Sequence, residues 1–306
     1  MSKIVFVPLG FIGDRLYATS AITVAKRYYP DLTAYYYSEP RFSFLNELLL
    51  STGVIDEILH DEKRLTEGWD SVIEMPVCKA HENPVKTYCE SFIQNLPSDA
   101  DLTPAFIDLS KVSVSPTFVK PTTPYITYQL DWQNRTALNV EYIINALTQQ
   151  NIQCIAVGKT GNESRNLYQP GTPQFIAEEL NRTQLINATA HLIGGASFHL
   201  GMNGGTAAIA AYTNTRCGIT TDWHYVRHNE LNLDHRAYMN WLRLIPREVS
   251  GNTMHHMFCP TITEDQLIYE TLDILSGKKL PPNLVKYPQM MQYFAANSPI
   301  VPPFPK

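Results

Sequence analysis

Ile4-Val5-Phe6-Val7-Pro8-Leu9-Gly10-Phe11-Ile12-Gly13-Asp14-Arg15 opens the chain with a short apolar run, a glycine turn and a polar helix start. A brief β-branched run closed by a turn reads as a buried strand over 3–8. After Asp14, Ala18, Ala21, Ile22, Ala25 and Tyr29 recur at helical spacing, an apolar face that Pro30 ends. Far along the chain the pattern returns. Ser197-Phe198-His199-Leu200 leads into Gly201-Met202-Asn203-Gly204-Gly205-Thr206 and a small-residue helix over 207–212. Both segments read as strand, tight turn, helix. In open α/β sheets that junction lies outside the carboxyl ends of the strands, where ligands bind.

The rest of the chain keeps the same rhythm. Strands are expected at 33–37, 71–75, 125–128, 152–157 and 216–220, and helices at 42–50, 84–95, 140–147, 175–180, 183–192 and 264–276. The stretch 98–123 is rich in Pro, Ser and Thr and reads as irregular. Strands alternating with helices imply parallel sheets covered on both faces. The fold class is therefore α/β, with two domains at 1–120 and 121–280. A proline-rich tail at 281–306 is expected to pack on the surface or back toward the first domain.

Composition narrows the function. A chain of 306 residues with net charge −5 is long enough for two ordinary domains and lacks the basic excess of a phosphate-backbone binder. Cys78, Cys89, Cys154, Cys217 and Cys259 are scattered without CxxC spacing, which favours a reducing, cytoplasmic setting and no structural zinc. No signal peptide is read at the N-terminus, and no run approaches the roughly 18 apolar residues of a membrane span. His255, His256 and Cys259 match no standard metal spacing and read as structural. Tyr28, Tyr29, Tyr35, Tyr36 and Tyr37 read as core and sheet packing.

Asp14, at a helix start, should be ionised there and can accept a proton from an attacking hydroxyl. It can equally serve only to cap its helix. Arg15 and Lys26 read more simply as a solvated face of that helix. Gly204, Gly205 and Thr206 offer free N–H groups at a second helix start. These can cradle a phosphate or merely allow close packing. Arg135, after the strand at 125–128, can pair with a diphosphate or form a surface ion pair. Glu163, in the loop after the strand at 152–157, can take ribose or sugar hydroxyls, but that segment reads more simply as a plain βα loop. That loop, Gly158-Lys159-Thr160, lacks the upstream glycine of a P-loop, and Pro8 stands where a GxGxxG motif needs its first glycine.

On these residues the chain resembles glycosyltransferase family 9, the heptosyltransferase-like enzymes of the GT-B fold. The stretch from Ile4 to Asp14, with Ala18-Thr19-Ser20-Ala21-Ile22 and Lys26-Arg27-Tyr28-Tyr29-Pro30, is similar to that family's N-terminal signature. Trp69-Asp70-Ser71-Val72-Ile73 is similar to its next recognisable strand. Gly201-Met202-Asn203-Gly204-Gly205-Thr206 with Ala210-Ala211 resembles its donor motif. The resemblance implies two Rossmann-like domains facing across a cleft, with a nucleotide-sugar donor on the second. It also implies an inverting transfer that needs no metal or other cofactor. Asp14 would be the general base, with Gly13, Arg15 and His81 on the acceptor side; Tyr88 sits with His81 in the acceptor-side helix of related chains. Asn203, Gly204, Gly205, Thr206, Arg135 and Glu163 would hold the donor. The chain departs from the family at Ala208, where the motif carries histidine, and at Asn203, where many heptosyltransferases carry aspartate.

The expected partners are a nucleotide-diphosphate sugar and an acceptor hydroxyl on a saccharide, protein or other molecule. A nucleotide-sugar epimerase or hydrolase, or a non-catalytic sugar- or nucleotide-binding protein, are the alternatives on the same architecture.

Overall fold

Val5 and Phe6 are fully buried at the centre of the first of two parallel sheets. The computed structural model describes residues 2–66, 68–75, 84–93, 96–97, 100–101, 103–116, 118–130, 138–157, 181–202, 204–220, 248–249, 252–253, 255–258 and 262–278. The first sheet is built from β1 (Lys3–Pro8), β2 (Thr33–Tyr37), β3 (Glu57–Leu59) and β4 (Ser71–Met75), in the order β3-β2-β1-β4. Val5 stands opposite Tyr35 on one side and Val72 on the other. Strands covered on both faces read as continuous apolar runs, which is why Ile4-Val5-Phe6-Val7 is legible. Helix α1 (Ile12–Tyr28) lies along the sheet through Leu16, Ala18, Ala21, Ile22 and Ala25, and α3 (Pro84–Glu90) packs beside it. Where one helix was expected over 42–50, a 3-10 turn (Pro40–Leu45) runs into a short α2 (Asn46–Ser51).

The second sheet contains β5 (Tyr125–Gln129), β6 (Gln153–Ala156), β7 (Phe198–Met202), β8 (Cys217–Thr220) and β11 (His255–Met257), ordered β11-β8-β7-β5-β6 and parallel throughout. A two-stranded antiparallel ribbon, β9 (Glu248–Val249) with β10 (Asn252–Thr253), precedes β11. The helices of this half are α4 (Val140–Gln149), α5 (Arg182–Gly195), α6 (Gly205–Tyr212) and α7 (Glu264–Leu275). Side-chain caps fix three of their starts. Asn139 accepts from Tyr142 N, Asn181 from Gln184 N and Thr263 from Gln266 N. Such a cap stabilises a helix by about 1 kcal/mol. Phe198 and Leu200 face a core with α4 and α7, whereas Cys217 and Ile219 face a core with α5 and α6.

One apolar cluster runs from Phe6 and Leu16 in the first half to Ala207–Tyr212 and Ile219 in the second. Helix α6 is buried from Thr206 to Tyr212 because α1 covers the side that the second sheet does not. Ser20 on α1 hydrogen-bonds the Tyr212 hydroxyl on α6, and the Tyr17 and Tyr212 rings lie 6.3 Å apart. The irregular stretch after residue 98 is pinned to both halves. Ile107 N donates to Tyr212 O at 2.8 Å, and Arg27 donates to the carbonyls of Asp101 and Thr103. Glu47 on α2 accepts from Ser113 Oγ at 2.9 Å and from Asn187 Nδ2 on α5 at 2.7 Å. Among the described residues, no helix is long and apolar enough to cross a membrane. The expected helix at 175–180 and the tail at 281–306 lie outside the described residues.

Candidate active site at the junction of two glycine turns

The first turn is closed by Leu9 N–H donating to Met75 O at 2.9 Å, which ties it to the end of β4. Gly10 has φ +96°, a left-handed conformation that favours glycine, and a Cβ there would collide with the Asp14 carboxylate. Helix α1 begins at Ile12, two residues earlier than the pattern after Asp14 suggests, so Asp14 sits in the first turn rather than before it. Its Oδ2 accepts from Phe11 N–H at 2.8 Å. Burial raises the Asp14 pKa above the usual aspartate value. The Phe11 and Asp14 amides and the neighbouring Arg15 charge pull the other way without cancelling it. The helix-start argument alone gives the opposite direction, because it leaves out the burial of the carboxylate.

Arg15 is not on a solvated face. It is fully buried, with Nη2 paired to Glu39 Oε1 at 2.6 Å and its guanidinium 3.7 Å from the centre of the Phe42 ring. The other Glu39 oxygen accepts from the exposed Arg41 at 2.8 Å. Arg15 thus touches no solvent, and its partner Glu39 follows the carboxyl end of β2. Lys26 keeps the solvated reading, paired to Asp56 at 2.7 Å. Tyr88, grouped with the acceptor side, is 1% exposed and faces the core. Of the tyrosines read as packing, Tyr36 and Tyr37 are buried, but Tyr28 and Tyr29 are exposed beyond the last buried turn of α1.

The second turn leaves β7 and starts α6 at Gly205. Gly204 is extended, and a Cβ there would meet only Met202 O at 3.9 Å. Gly205 is different: a Cβ there would stand 3.2 Å from Ile12 Cβ and Cδ1. A Cβ on Gly13 would meet Ala208 Cβ at 3.9 Å. The missing side chain of Gly205 thus lets the first turns of α1 and α6 touch. Thr206 donates its hydroxyl to Gln129 Oε1 at 2.5 Å, so what Thr206 offers a ligand is its amide. Beneath α6, a Cβ on Gly201 would meet the His199 ring at 2.5 Å. His199 Nδ1 pairs with Thr127 Oγ1 at 3.0 Å, and burial lowers its pKa to about 3, so it is neutral.

Topology explains why these corners meet. In the first sheet the chain leaves β1 toward β2 on one side and returns to β4 on the other, so the switch point lies at the end of β1, where Asp14 follows. In the second sheet the switch lies between β5 and β7, and the Thr206–Gln129 bond bridges the end of one to the turn after the other. The site thus offers a half-buried carboxylate, the unpaired first N–H groups of α6 and the Nε2 donors of Gln129. Gln129 and Glu39 were missed in the sequence. Their only signal is position, each being at or just past the end of a strand that borders a switch point. His81, Arg135, Glu163 and Asn203 lie outside the described residues.

Two features belong elsewhere. A cavity of about 680 Å³ lined by Lys3, Tyr35 and Trp69 lies toward the amino end of β1, whereas Asp14 follows its carboxyl end. His255 and His256 lie in β11, paired with β8, and Cys259 is outside the described residues. Among the described residues, no group of three or more His, Cys, Asp or Glu is placed to hold a metal ion.

No protein-family model matches the sequence, and no curated protein sequence matches it. Solved structures do. A glycosyltransferase family 9 protein from Veillonella parvula matches with TM-score 0.60 at 11% identity, over 90% of this chain and 97% of that one. The ADP-heptose LPS heptosyltransferase II of E. coli matches with TM-score 0.56 at 12% identity, over 91% and 100%. The E. coli heptosyltransferase WaaC, solved with ADP-2-deoxy-2-fluoro heptose, matches with TM-score 0.51 at 13% identity, over 71% and 88%. At these identities the likeness is one of fold: α/β, of the two-domain GT-B kind, as the sequence resemblance implies.

Proposed function

We propose that this chain is an inverting, metal-independent glycosyltransferase that moves a sugar from a nucleotide-diphosphate sugar to an acceptor hydroxyl. Residues 1–120 would hold the acceptor and 121–280 the donor. The observation that carries the reading is the meeting of the two turns. Ile12 packs against Gly205, so a proton-accepting carboxylate and an anion-binding helix start border one space. That pairing is what group transfer from a diphosphate needs and what a helix cap alone does not explain.

In this reading Asp14 takes the proton of the acceptor hydroxyl as its oxygen attacks the anomeric carbon. The bond from that carbon to the diphosphate breaks on the opposite face, and the departing charge meets the amides of Gly205 and Thr206. Such preorganised donors act most strongly where water is excluded. Gln129 Nε2 would donate to a phosphate oxygen, held in place by the bond its Oε1 accepts from Thr206. A raised pKa suits the base, because proton uptake becomes more favourable as the operating pH is approached.

The test is a thermal-shift panel of nucleoside diphosphates and their sugars, followed by product analysis with the donor that stabilises most. Release of nucleoside diphosphate that depends on an added acceptor, with the sugar transferred at inverted configuration, is the expected result. Turnover of free nucleotide sugar without acceptor would point to a hydrolase or epimerase. Binding with no turnover across the panel would point to a binding protein.

A further inference from the structure

We infer that the two halves of the chain move as one rigid body, strapped together by the stretch 103–116, so that the candidate site is assembled before any substrate arrives. Domains rotate about their linker unless the interface is extensive and apolar, and a hinge needs a few residues free to change φ and ψ. Two seams oppose such rotation here. In the first, α6 is buried from Thr206 to Tyr212, with α1 on the flank that the second sheet leaves free. Parting the halves would bare that flank, a run of alanines with Ile209 and Tyr212, to water. Tyr212 is held through its hydroxyl by Ser20, through its ring by Tyr17 and through its carbonyl by Ile107 N–H at 2.8 Å. The second seam lies on α5. The 3-10 turn Pro40–Leu45 packs against that helix, and Glu47 of α2 accepts from its buried Asn187 Nδ2 at 2.7 Å. One helix pair alone can act as a hinge axis; a second contact on another helix blocks rotation about it.

The strap removes the remaining freedom. Ile107 N–H reaches Tyr212 O in the second half, and the next amide, Asp108 N–H, donates to Ser51 O in the first at 3.3 Å. Leu109 sits in a notch on α5 that exists because residue 194 is glycine; a Cβ there would collide with the Leu109 side chain. Val112 O pairs with His191 Nε2 on α5 at 2.9 Å, and Ser113 Oγ donates to Glu47 on α2 at 2.9 Å. Successive residues over 107–113 thus alternate between the halves, and none of that run is free to absorb a change in φ and ψ. The fastening stands on packing alone, whatever the chemistry. Its consequence for the site rests on the transfer reading: Asp14 and the start of α6 keep a fixed separation, and donor and acceptor enter a space that no domain closure has to build.

The Ile107 amide reports the seam directly, because its hydrogen bond crosses between the halves. Hydrogen exchange of the full chain, read by NMR, should find it protected to within about tenfold of the Val5 and Leu200 amides in the central strands. Exchange more than about tenfold faster than theirs would show a separate opening and overturn the inference. The double variant Glu47→Ala/Leu109→Ala should speed Ile107 exchange about tenfold or more relative to Val5 and Leu200, and indifference would show that the strap fastens nothing. Should that variant fail to fold, the wild-type exchange still decides. Small-angle scattering then compares the free chain with the chain saturated by ADP or UDP, occupancy being checked by calorimetry. The radius of gyration should not change, and contraction on binding would overturn the inference. Binding of neither nucleotide would count against the transfer reading, not against the rigid body, which the exchange experiment tests without a ligand.

Discussion

Replacing Asp14 with asparagine separates its two jobs. The amide oxygen of the new side chain can still accept from Phe11 N–H, which now reaches Asp14 Oδ2 at 2.8 Å, so the cap survives. The charge does not. Because burial raises the Asp14 pKa in the fold, its ionised form is less favoured there than in the unfolded chain. Any stability the protonated form lends is lost as pH rises through the folded pKa, and above it the carboxylate is a burden. Asparagine removes that burden, so Asp14→Asn should melt at or above the wild-type temperature at neutral pH. Asp14→Ala, which also loses the cap, should fall below Asp14→Asn by about 1 kcal/mol. Turnover should move the other way, dropping about 10²–10⁴-fold on loss of a general base, or roughly 3–5.5 kcal/mol of barrier. The assay is nucleoside-diphosphate release with the preferred donor, run beside differential scanning fluorimetry. The acid limb of kcat/KM should lie above the usual aspartate value of 3.8 and vanish in the variant. Wild-type turnover in Asp14→Asn, with only Asp14→Ala impaired in stability, would show that the carboxylate is a cap and nothing more.

The two glycines of the second turn should respond differently. Gly204→Ala meets nothing closer than 3.9 Å, so its melting point should hold within about 0.5 kcal/mol while nucleoside-diphosphate affinity, read by calorimetry, falls about tenfold. Gly205→Ala places a methyl 3.2 Å from Ile12 and should destabilise by about 1–3 kcal/mol in denaturant melts, whether or not ligand is bound. Arg15→Met leaves Glu39 with only Arg41 and should cost roughly 3 kcal/mol, reduced in this pair because Glu39 is 25% exposed; a change under about 0.5 kcal/mol would rule out a structural ion pair. Dialysis against EDTA should leave turnover unchanged, and a loss restored by one added divalent cation would overturn metal independence.

The sheets were legible because each central strand is a short, mostly apolar run bounded by a turn, as in Ile4-Val5-Phe6-Val7 and Phe198-His199-Leu200. β3, the β9–β10 ribbon and β11 were not, because strands of two or three residues carry too little pattern to separate from loop. Arg15 was misread for a different reason. Helical spacing places it beside the apolar face, and charge alone suggests solvent, yet Glu39 and Phe42 come from a segment that local pattern does not link to α1. Long-range partners of this kind decide the fate of a charged side chain and leave no trace in a window of a few residues.

Ala208 shows how the same blindness touches the site. Beside the family motif it looks like a lost histidine, and loss suggests a worn-down donor site. In the fold, Ala208 is fully buried at the contact between α6 and α1. An imidazole there would have to force the two helices apart and open the Ile12–Gly205 contact that brings Asp14 to the helix start. Alanine at 208 thus suits the close seam between α1 and α6, beside the Ile12–Gly205 contact. Under the proposed function, the contact that the motif's histidine would supply falls to another group, and Gln129, bonded to Thr206 at the adjacent switch point, is a described residue beside that turn. Gln129→Leu should then weaken nucleoside-diphosphate binding by about tenfold, as loss of one hydrogen bond to a charged group would. Unaltered affinity would return Ala208 to the reading of a site in decay.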